Sequence, residues 1–329
     1  MIKTIDLFAG IGGMRLGFER EGFRTVFAND FDKTCKDTYD LNFKDTKLTI
    51  QDIWKVDISS LPEFDVLIGG FPCQAFSIAG YQNGFKDEKV GGNLFFRIAE
   101  ILKKRKPKAI LLENVKNLKT HDKGKTFRII KETLKKLGYH VKAEVLNSMI
   151  HGNIPQNRER IFIVGFLDKE KADLFSFPKE IPLTISFRDF MAKKADKKYY
   201  YNDKPLYEKI KNDINSEQTV YQWRRRYVRA NKKGVCPTLT ANMGRGGHNV
   251  PIIKNTIGIR KMTPKECFLL QGFPNDFKLP KNLPDCHLYH QAGNSVTVTV
   301  IERLAKEMKA VLTEKKKPDK NNLTAYIKN

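Results

Sequence analysis

Four side chains of this sequence stand out by type and setting. They are Cys73 in "FPCQAFSIAG", Glu113 in "LLENV", and Arg158 and Arg160 in "QNRER". A thiol beside a proline serves as a small buried hydrophobe, half of a disulfide, a metal ligand or a nucleophile. The five cysteines, at 35, 73, 236, 267 and 286, are odd in number and contain no C-x-x-C pair, which argues against a disulfide framework and against a zinc site. Cys73 directly follows the apolar run "DVLIGG", and Pro72 stiffens the turn that presents it, so its position favours chemistry.

A second group reads as a ligand cradle. In "IDLFAGIGGMRLGFE", Gly10, Gly12 and Gly13 give a backbone that a ligand can approach closely, although the dinucleotide spacing G-x-G-x-x-G is not met. Asp30 ends the run "VFAND", 20 residues after Gly10, where a carboxylate accepts hydrogen bonds from ribose hydroxyls. Asp52 follows the next apolar run and is placed for an adenine amino group. With no phosphate-cradling G-K-[ST] present, S-adenosylmethionine fits better than ATP or NAD. That Asp30 and Asp52 cap the helices after them stays open as the alternative.

These residues need a scaffold, and the pattern supplies one. From residue 3 to about 166, short aliphatic runs such as "KTIDLF", "FDVLIGG", "KAILLEN" and "RERIFIVGF" alternate with amphipathic stretches such as "NLFFRIAEILKKRK" and "KTFRIIKETLKKLG". That alternation predicts a doubly wound α/β fold with a mostly parallel sheet, whose ligands sit at the carboxyl ends of the strands. The rhythm is lost after "FSFPKEIP". We expect a catalytic and cofactor-binding domain over 1–182 and a smaller irregular domain over 183–258. A hinge and supporting helix follow over 259–293, and 294–329 forms a C-terminal helix returning to the first domain, then a tail.

The chain has 329 residues, 60 Lys plus Arg against 37 Asp plus Glu, a net charge of +23 and a pI near 9.7. Such a balance favours a polyanionic partner. Part of the excess is scattered lysine on solvated faces, as in "LKKRKPK" and "EKKKPDK". No run approaches the roughly 20 apolar residues needed to cross a bilayer, and the start lacks the layout of a signal peptide. A cytoplasmic protein without membrane contact is expected.

The segments "DLFAGIGG", "FPCQAFS", "ENV", "QNRERIF", "RKMTPKECFLLQGFP" and "QAGNSV" stand in one order over nearly the whole chain. In that order and spacing the sequence resembles the bacterial DNA (cytosine-5)-methyltransferases of restriction–modification systems. The resemblance implies that Cys73 adds to C6 of cytosine and makes C5 nucleophilic toward the methyl of S-adenosylmethionine, leaving S-adenosylhomocysteine. It implies that Glu113 holds the N3 and N4 edge of the base and supplies a proton, and that Arg160 orients base and thiol. Arg158 would neutralise phosphate or assist at the cytosine carbonyl. The base that removes the C5 proton is left open, water included.

The same resemblance puts Phe8, Gly10, Ile11 and Gly12 around the cofactor, Asp30 on its ribose and Asp52 on its adenine. It adds Phe31, Ile53, Pro72 and Leu94, and makes Asn294, Ser295 and Val296 the closing wall. Thr263 to Phe273 would be a helix supporting the recognition domain. The target cytosine would be flipped out of the duplex, with residues 74–93 closing over it and Gln74, Ser77, Ala79 and Lys89 facing DNA. This loop departs from the family's common form: "DEKVGGNLFF" lacks the usual arginine–glycine pair, and Lys86 or Lys89 is the substitute for its phosphate contact.

The segment 183–258 corresponds to the family's variable target-recognition region. There Thr238 of "CPTLTANMGRGGHN" is expected near the flipped nucleotide's backbone. Arg225 and Arg245 are expected on DNA, among the candidates Arg224, Arg226, Arg229 and His248. The family implies a monomer acting on double-stranded DNA, associated with the nucleoid. It allows a cognate restriction endonuclease without a stable complex. Three other readings compete with this one. A tRNA methyltransferase with the same core is disfavoured by the glycine-rich recognition segment. Intact Cys73, Glu113 and Arg160 disfavour an inert DNA-binding regulator. An amino-methyltransferase would need an [DNS]-P-P-[YF] turn, which is absent.

Overall fold

The first aliphatic run forms β1, Lys3–Leu7, and every residue of it from Thr4 onward is buried. A strand buried on both faces belongs in the middle of a parallel sheet with helices on each side. The computed structural model describes residues 1–72, 94–231, 234–244 and 250–314 and places β1 in that position. The other strands of its sheet are β2 (Arg24–Asp30), β3 (Leu48–Ile50), β4 (Val66–Gly70), β5 (Ala109–Val115), β6 (His140–Asn147) and β7 (Glu159–Phe166). Their order is β3-β2-β1-β4-β5-β7-β6.

The first five strands pair in parallel, whereas β7 runs antiparallel to both β5 and β6. The sheet is therefore doubly wound and mostly parallel, as the alternation predicts. The order of strand addition switches sides between β1 and β4, which opens a crevice at their carboxyl ends. The reversal of β7 brings its beginning to this same edge: Val115, which ends β5, lies opposite Arg160.

Alternate residues of the central strands feed opposite layers. Leu67, Ile110, Leu112 and Ile163 pack with α3 (Leu94–Arg105) and α4 (Lys125–Lys136). Val66, Ile68, Leu111 and Val164 pack with α1 (Gly13–Arg20) and α7 (Val298–Thr313). The apolar stripe of α7, Val298, Ile301, Leu304, Ala305, Met308 and Val311, has helical period and returns the C-terminal segment to the sheet. Between β2 and β3 lies α2 (Thr34–Asn42), and before α7 come α5 (Pro264–Leu269) and α6 (Asp285–Asn294).

The polar stretch after residue 183 holds a four-stranded antiparallel sheet in the order β9-β8-β10-β11. Its strands are β8 (Val220–Trp223), β9 (Val228–Asn231), β10 (Ile252–Lys254) and β11 (Ile259–Lys261). The limit drawn at 258 thus falls inside a hairpin, because Ile259 pairs with Lys254. One face of this sheet has its own small core, with Tyr221, Ile252 and Ile259. From the other, Val220 and Ile253 join Cys236, Leu239, Phe268 and Tyr289 in a cluster that reaches Tyr39 and Phe43.

The supporting helix is shorter than Thr263 to Phe273. Its capping box is complete, with Thr263 and Glu266 each accepting the other's backbone N–H. It stops at Leu269, and Gly272 takes a left-handed φ of 78° that turns the chain away. Glu266 also forms a bidentate pair with Arg260 of β11, at 2.6 and 2.8 Å, with both side chains almost wholly buried. Removing one member of such a pair strands the other charge. Glu266→Ala is expected to cost about 3–5 kcal/mol in urea denaturation, and a loss below about 1 kcal/mol would show that the pair does not hold β11 to α5.

Candidate active site

A cavity of about 630 Å³ opens at the carboxyl edge of the sheet. After β1, the chain turns through Phe8, at φ 57°, and Gly10, at φ 53°. Asp30 ends β2 and clamps this turn: one carboxylate oxygen accepts the Gly10 N–H at 2.7 Å and the other accepts the Asp32 N–H at 2.8 Å. Burial raises the pKa of this carboxyl, opposed by those backbone donors. Each carboxylate oxygen can accept a second hydrogen bond, which leaves capacity toward the cavity that Asp30 lines.

Phe31 stands beside it on the rim, 76% exposed, with its ring available for stacking. Asp52 lines the cavity and also caps the short helix Ile53–Lys55, accepting the Trp54 N–H at 3.0 Å. The capping alternative and the ligand position thus coexist in this residue. Ile11, Ile53, Pro72, Leu94, Asn294, Ser295 and Val296 complete the walls. Gly12 does not line the cavity: at φ 84°, its missing Cβ makes room for the Phe43 ring.

Glu113 lies inside β5 and Arg160 is the second residue of β7. The antiparallel register brings them together, with Arg160 Nε 3.1 Å from Glu113 Oε1. Burial pushes the Glu113 carboxyl up from its ordinary range, while Arg160 and then Arg158 pull it down. Arg160 also donates to the Glu159 carbonyl at 2.8 Å. Arg158 behaves differently. Its guanidinium donates to the carbonyls of Leu239 at 2.8 Å, Gly293 at 3.1 Å and Ser295 at 2.5 Å. Burial, then the charge of Arg160, lowers its pKa, with Glu113 opposing.

Two residues of this edge escaped the sequence reading. Asn114 is buried and donates to the Phe71 carbonyl at 2.7 Å, tying the turn before Pro72 to the strand that carries Glu113. His290 faces the Ala241 carbonyl from Nδ1 at 2.9 Å and the Asn294 amide from Nε2 at 3.0 Å. A carbonyl only accepts, so Nδ1 carries the proton and Nε2 accepts from Asn294. The quoted segments "ENV" and "QAGNSV" contain or adjoin both residues, but neither type announces such a contact.

Cys73, Gln74, Ser77, Ala79, Lys89 and Arg245 lie outside the described residues, as do Lys86 and His248. Pro72, the last described residue before Cys73, lines the cavity. Cys35 also lines it, but burial pushes its thiol well up, away from the thiolate a nucleophile needs. Thr238 donates to the Asn157 carbonyl at 2.6 Å, beside the two arginines. Arg225 is exposed on the turn between β8 and β9 with φ 65°. Among the described residues no group of three His, Cys, Asp or Glu is placed to hold a metal, and no helix is long and apolar enough to cross a membrane.

Residues 2–310 match the family model of C-5 cytosine-specific DNA methylases. The chain belongs to that family. The Type II methyltransferase M.Bsp6I of Bacillus sp. (strain RFL6) is 52% identical to it over 313 residues, covering 94% of this chain and 98% of the relative. The Type II methyltransferase M.HhaI of Haemophilus parahaemolyticus is 34% identical, covering 92% and 93%. A Spodoptera frugiperda DNMT2 mutant superposes with a TM-score of 0.73 over 94% of this chain and all of that one; at 20% identity this likeness concerns the fold alone.

The protein is thus a DNA cytosine-5-methyltransferase of the Type II restriction–modification kind, and the rival readings fall away. Glu113 gives this methyltransferase a stability cost with a definite sign. Its folded pKa is raised, so folding is favoured while the carboxyl stays protonated and loses stability as pH climbs from the unfolded value through the folded one. Glu113→Gln is therefore expected to gain stability relative to wild type as pH rises above the ordinary glutamate range in urea titrations, whereas a difference that stays constant with pH would place the buried charge elsewhere.

Proposed function

We propose that the methyltransferase moves a methyl group from S-adenosylmethionine to C5 of a cytosine turned out of double-stranded DNA, through a covalent bond between Cys73 and C6. The observation that carries this reading is the Glu113–Arg160 pair sharing one cleft with Asp30, Phe31 and Asp52. A cavity of about 630 Å³ suits a nucleoside-sized ligand. Two carboxylates and an exposed aromatic ring on its wall fit a ribose, an adenine amino group and an adenine face. Asp30, Asp52 and Phe31 would hold S-adenosylmethionine, with Phe8, Ile11 and the Asn294–Val296 wall around it.

When bound, that cofactor supplies an electrophilic methyl group on a sulfonium. The remaining chemistry belongs to the chain and the base. The Cys73 thiolate adds to C6, the C5–C6 π electrons become nucleophilic at C5, and Glu113 delivers a proton to N3. A carboxyl raised by burial retains that proton more readily than a solvated one. Arg160, anchored to Glu113 and the Glu159 carbonyl, orients the acid against the base. Arg158, engaged by three carbonyls, positions the cleft instead of reaching for phosphate. After C5 takes the methyl group, loss of the C5 proton to a base expels the Cys73 thiolate, and return of the N3 proton to the Glu113 carboxylate restores the neutral ring.

Turning the cytosine out costs a few kcal/mol and gives the pocket its only access to C5 and C6. The protein acts as a monomer in the cytoplasm and nucleoid, and a matching restriction endonuclease needs no stable complex with it. Bisulfite sequencing of DNA from expressing cells is expected to show 5-methylcytosine within one short sequence. Cys73→Ser is expected to lower turnover by about a thousandfold or more while cofactor binding persists; turnover within about tenfold of wild type would exclude the covalent route. Asp30→Ala is expected to weaken S-adenosylmethionine binding by about 1–3 kcal/mol, and an unchanged dissociation constant by calorimetry would move the cofactor elsewhere.

A further inference from the structure

A second cavity, of about 790 Å³, lies between the β8–β9 hairpin and the segment Cys236–Asn242. It is separated from the first only by the stitched backbones of Asn157–Arg158 and Thr238–Leu239, where Thr238 bonds Asn157 and Arg158 bonds Leu239. One wall is the polar face of the hairpin. Gln222 and Arg229 are cross-strand partners on that face, whereas the apolar Tyr221, Trp223 and Val228 belong to the small core behind it. The other wall carries Thr238, Thr240 and Asn242.

The condition of the two partners is unusual. Gln222 is only 8% exposed, yet the one hydrogen bond of its side chain is a long contact of 3.4 Å from Arg224 to its carbonyl oxygen, and its amide nitrogen donates none. Arg229 is exposed and makes no hydrogen bond or ion pair among the described residues. A donor left free on a cavity wall is available to a ligand. A side-chain amide offers one donor and one acceptor side by side, and an arginine fork offers two parallel donors. These are the two patterns that match base edges in the major groove.

We propose that Gln222 and Arg229 read adjacent base pairs of the target duplex beside the modified cytosine, with Arg229 on the O6 and N7 of a guanine. This rests on the DNA-modifying reading of the chain and adds to it the residues that choose the sequence. Their placement differs from the expectation for Arg225, which sits on the turn and does not line the cavity. Arg224, which holds the Gln222 carbonyl, positions that amide.

Duplexes bound by the full-length protein in the presence of S-adenosylhomocysteine are selected from a randomised pool, for wild type, Arg229→Ala, Arg229→Lys and Gln222→Glu. Methylation of the winning duplex is assayed separately. Wild type is expected to enrich a sequence with guanine next to the cytosine. Both Arg229 variants are expected to lose about tenfold or more of the preference at one base pair and to keep it elsewhere. Gln222→Glu retains the size of the side chain but not its donor, and is expected to change the preference at the adjacent pair. Thermal melting identifies any variant that has lost its fold, and Arg229→Lys, a change at an exposed side chain, remains informative. Failure of wild type to enrich any sequence would overturn the proposal. So would an unchanged preference in Arg229→Lys, or a uniform loss on all duplexes with a smaller salt slope, the signature of a phosphate contact. An intact selected sequence with no methylation would overturn the catalytic reading and leave the reading pair standing.

Discussion

A guanidinium removed from water needs acceptors for its donors, and the two terminal nitrogens of Arg158 find three backbone carbonyls drawn from distant parts of the chain, while its buried Nε has no partner among the described residues. Leu239 comes from the recognition segment, and Gly293 and Ser295 from the end of α6 and the residue after it. The host of the arginine is the approach to β7. One buried cation thus joins the central sheet, the recognition segment and the wall of the cofactor cleft. Gln156 reinforces the same junction: it accepts the Leu239 N–H at 3.0 Å and donates to the Leu270 carbonyl at 2.7 Å. Losing either would leave buried carbonyl and amide groups without partners, at a cost that no nearby side chain could offset.

The chemistry depends on what that junction delivers. In an all-parallel sheet, the start of β7 would lie at the edge opposite the end of β5. Reversal of β7 places Arg160 at the cleft edge, where it meets Glu113 across neighbouring strands. Both groups are poorly solvated, so their attraction is strong, yet burial still dominates the acid and keeps its pKa raised. A solvated glutamate would be ionised at neutral pH and hold no proton to give. The cleft therefore carries a group whose ionisation works against folding, a conflict expected where a site's function sets the residue type.

Much of this was legible in the sequence, for reasons that differ residue by residue. Alternation of aliphatic and amphipathic runs is a local property, and it located β1 to β7 and the long helices. Asp30 could be placed because strand, turn and helix lengths confine a carboxylate 20 residues after Gly10 to the crevice. The direction of β7 has no local signature, since a strand reads alike in either orientation, so the contact of Glu113 with Arg160 was not legible. Gly12 lies against the Phe43 ring, a contact the glycine-rich turn could not announce, since the sequence does not say which glycine makes room for a ring. The pattern of "TPKECFLLQGF" continued past Leu269, whereas the left-handed Gly272 ended the helix early. Asn114 and His290 were silent because the carbonyls they meet, of Phe71 and Ala241, lie far away in sequence.

The way the recognition segment is attached also explains how such a region can differ in side chains without disturbing the catalytic edge. Arg158 and Gln156 grip the carbonyl and the N–H of Leu239, Thr238 grips the Asn157 carbonyl, and the Cys236 N–H donates to the Pro155 carbonyl at 2.8 Å. In three of these four hydrogen bonds the segment takes part through a backbone group, which every residue type but proline supplies in full. On the other side of the second cavity, the β8–β9 hairpin is held by ladder hydrogen bonds and by the apolar face beneath it, again leaving the polar face out of the scaffold. Side chains such as Gln222 and Arg229 are thereby released from structural duty. The core fixes where that polar surface stands without drawing on the side chains it presents.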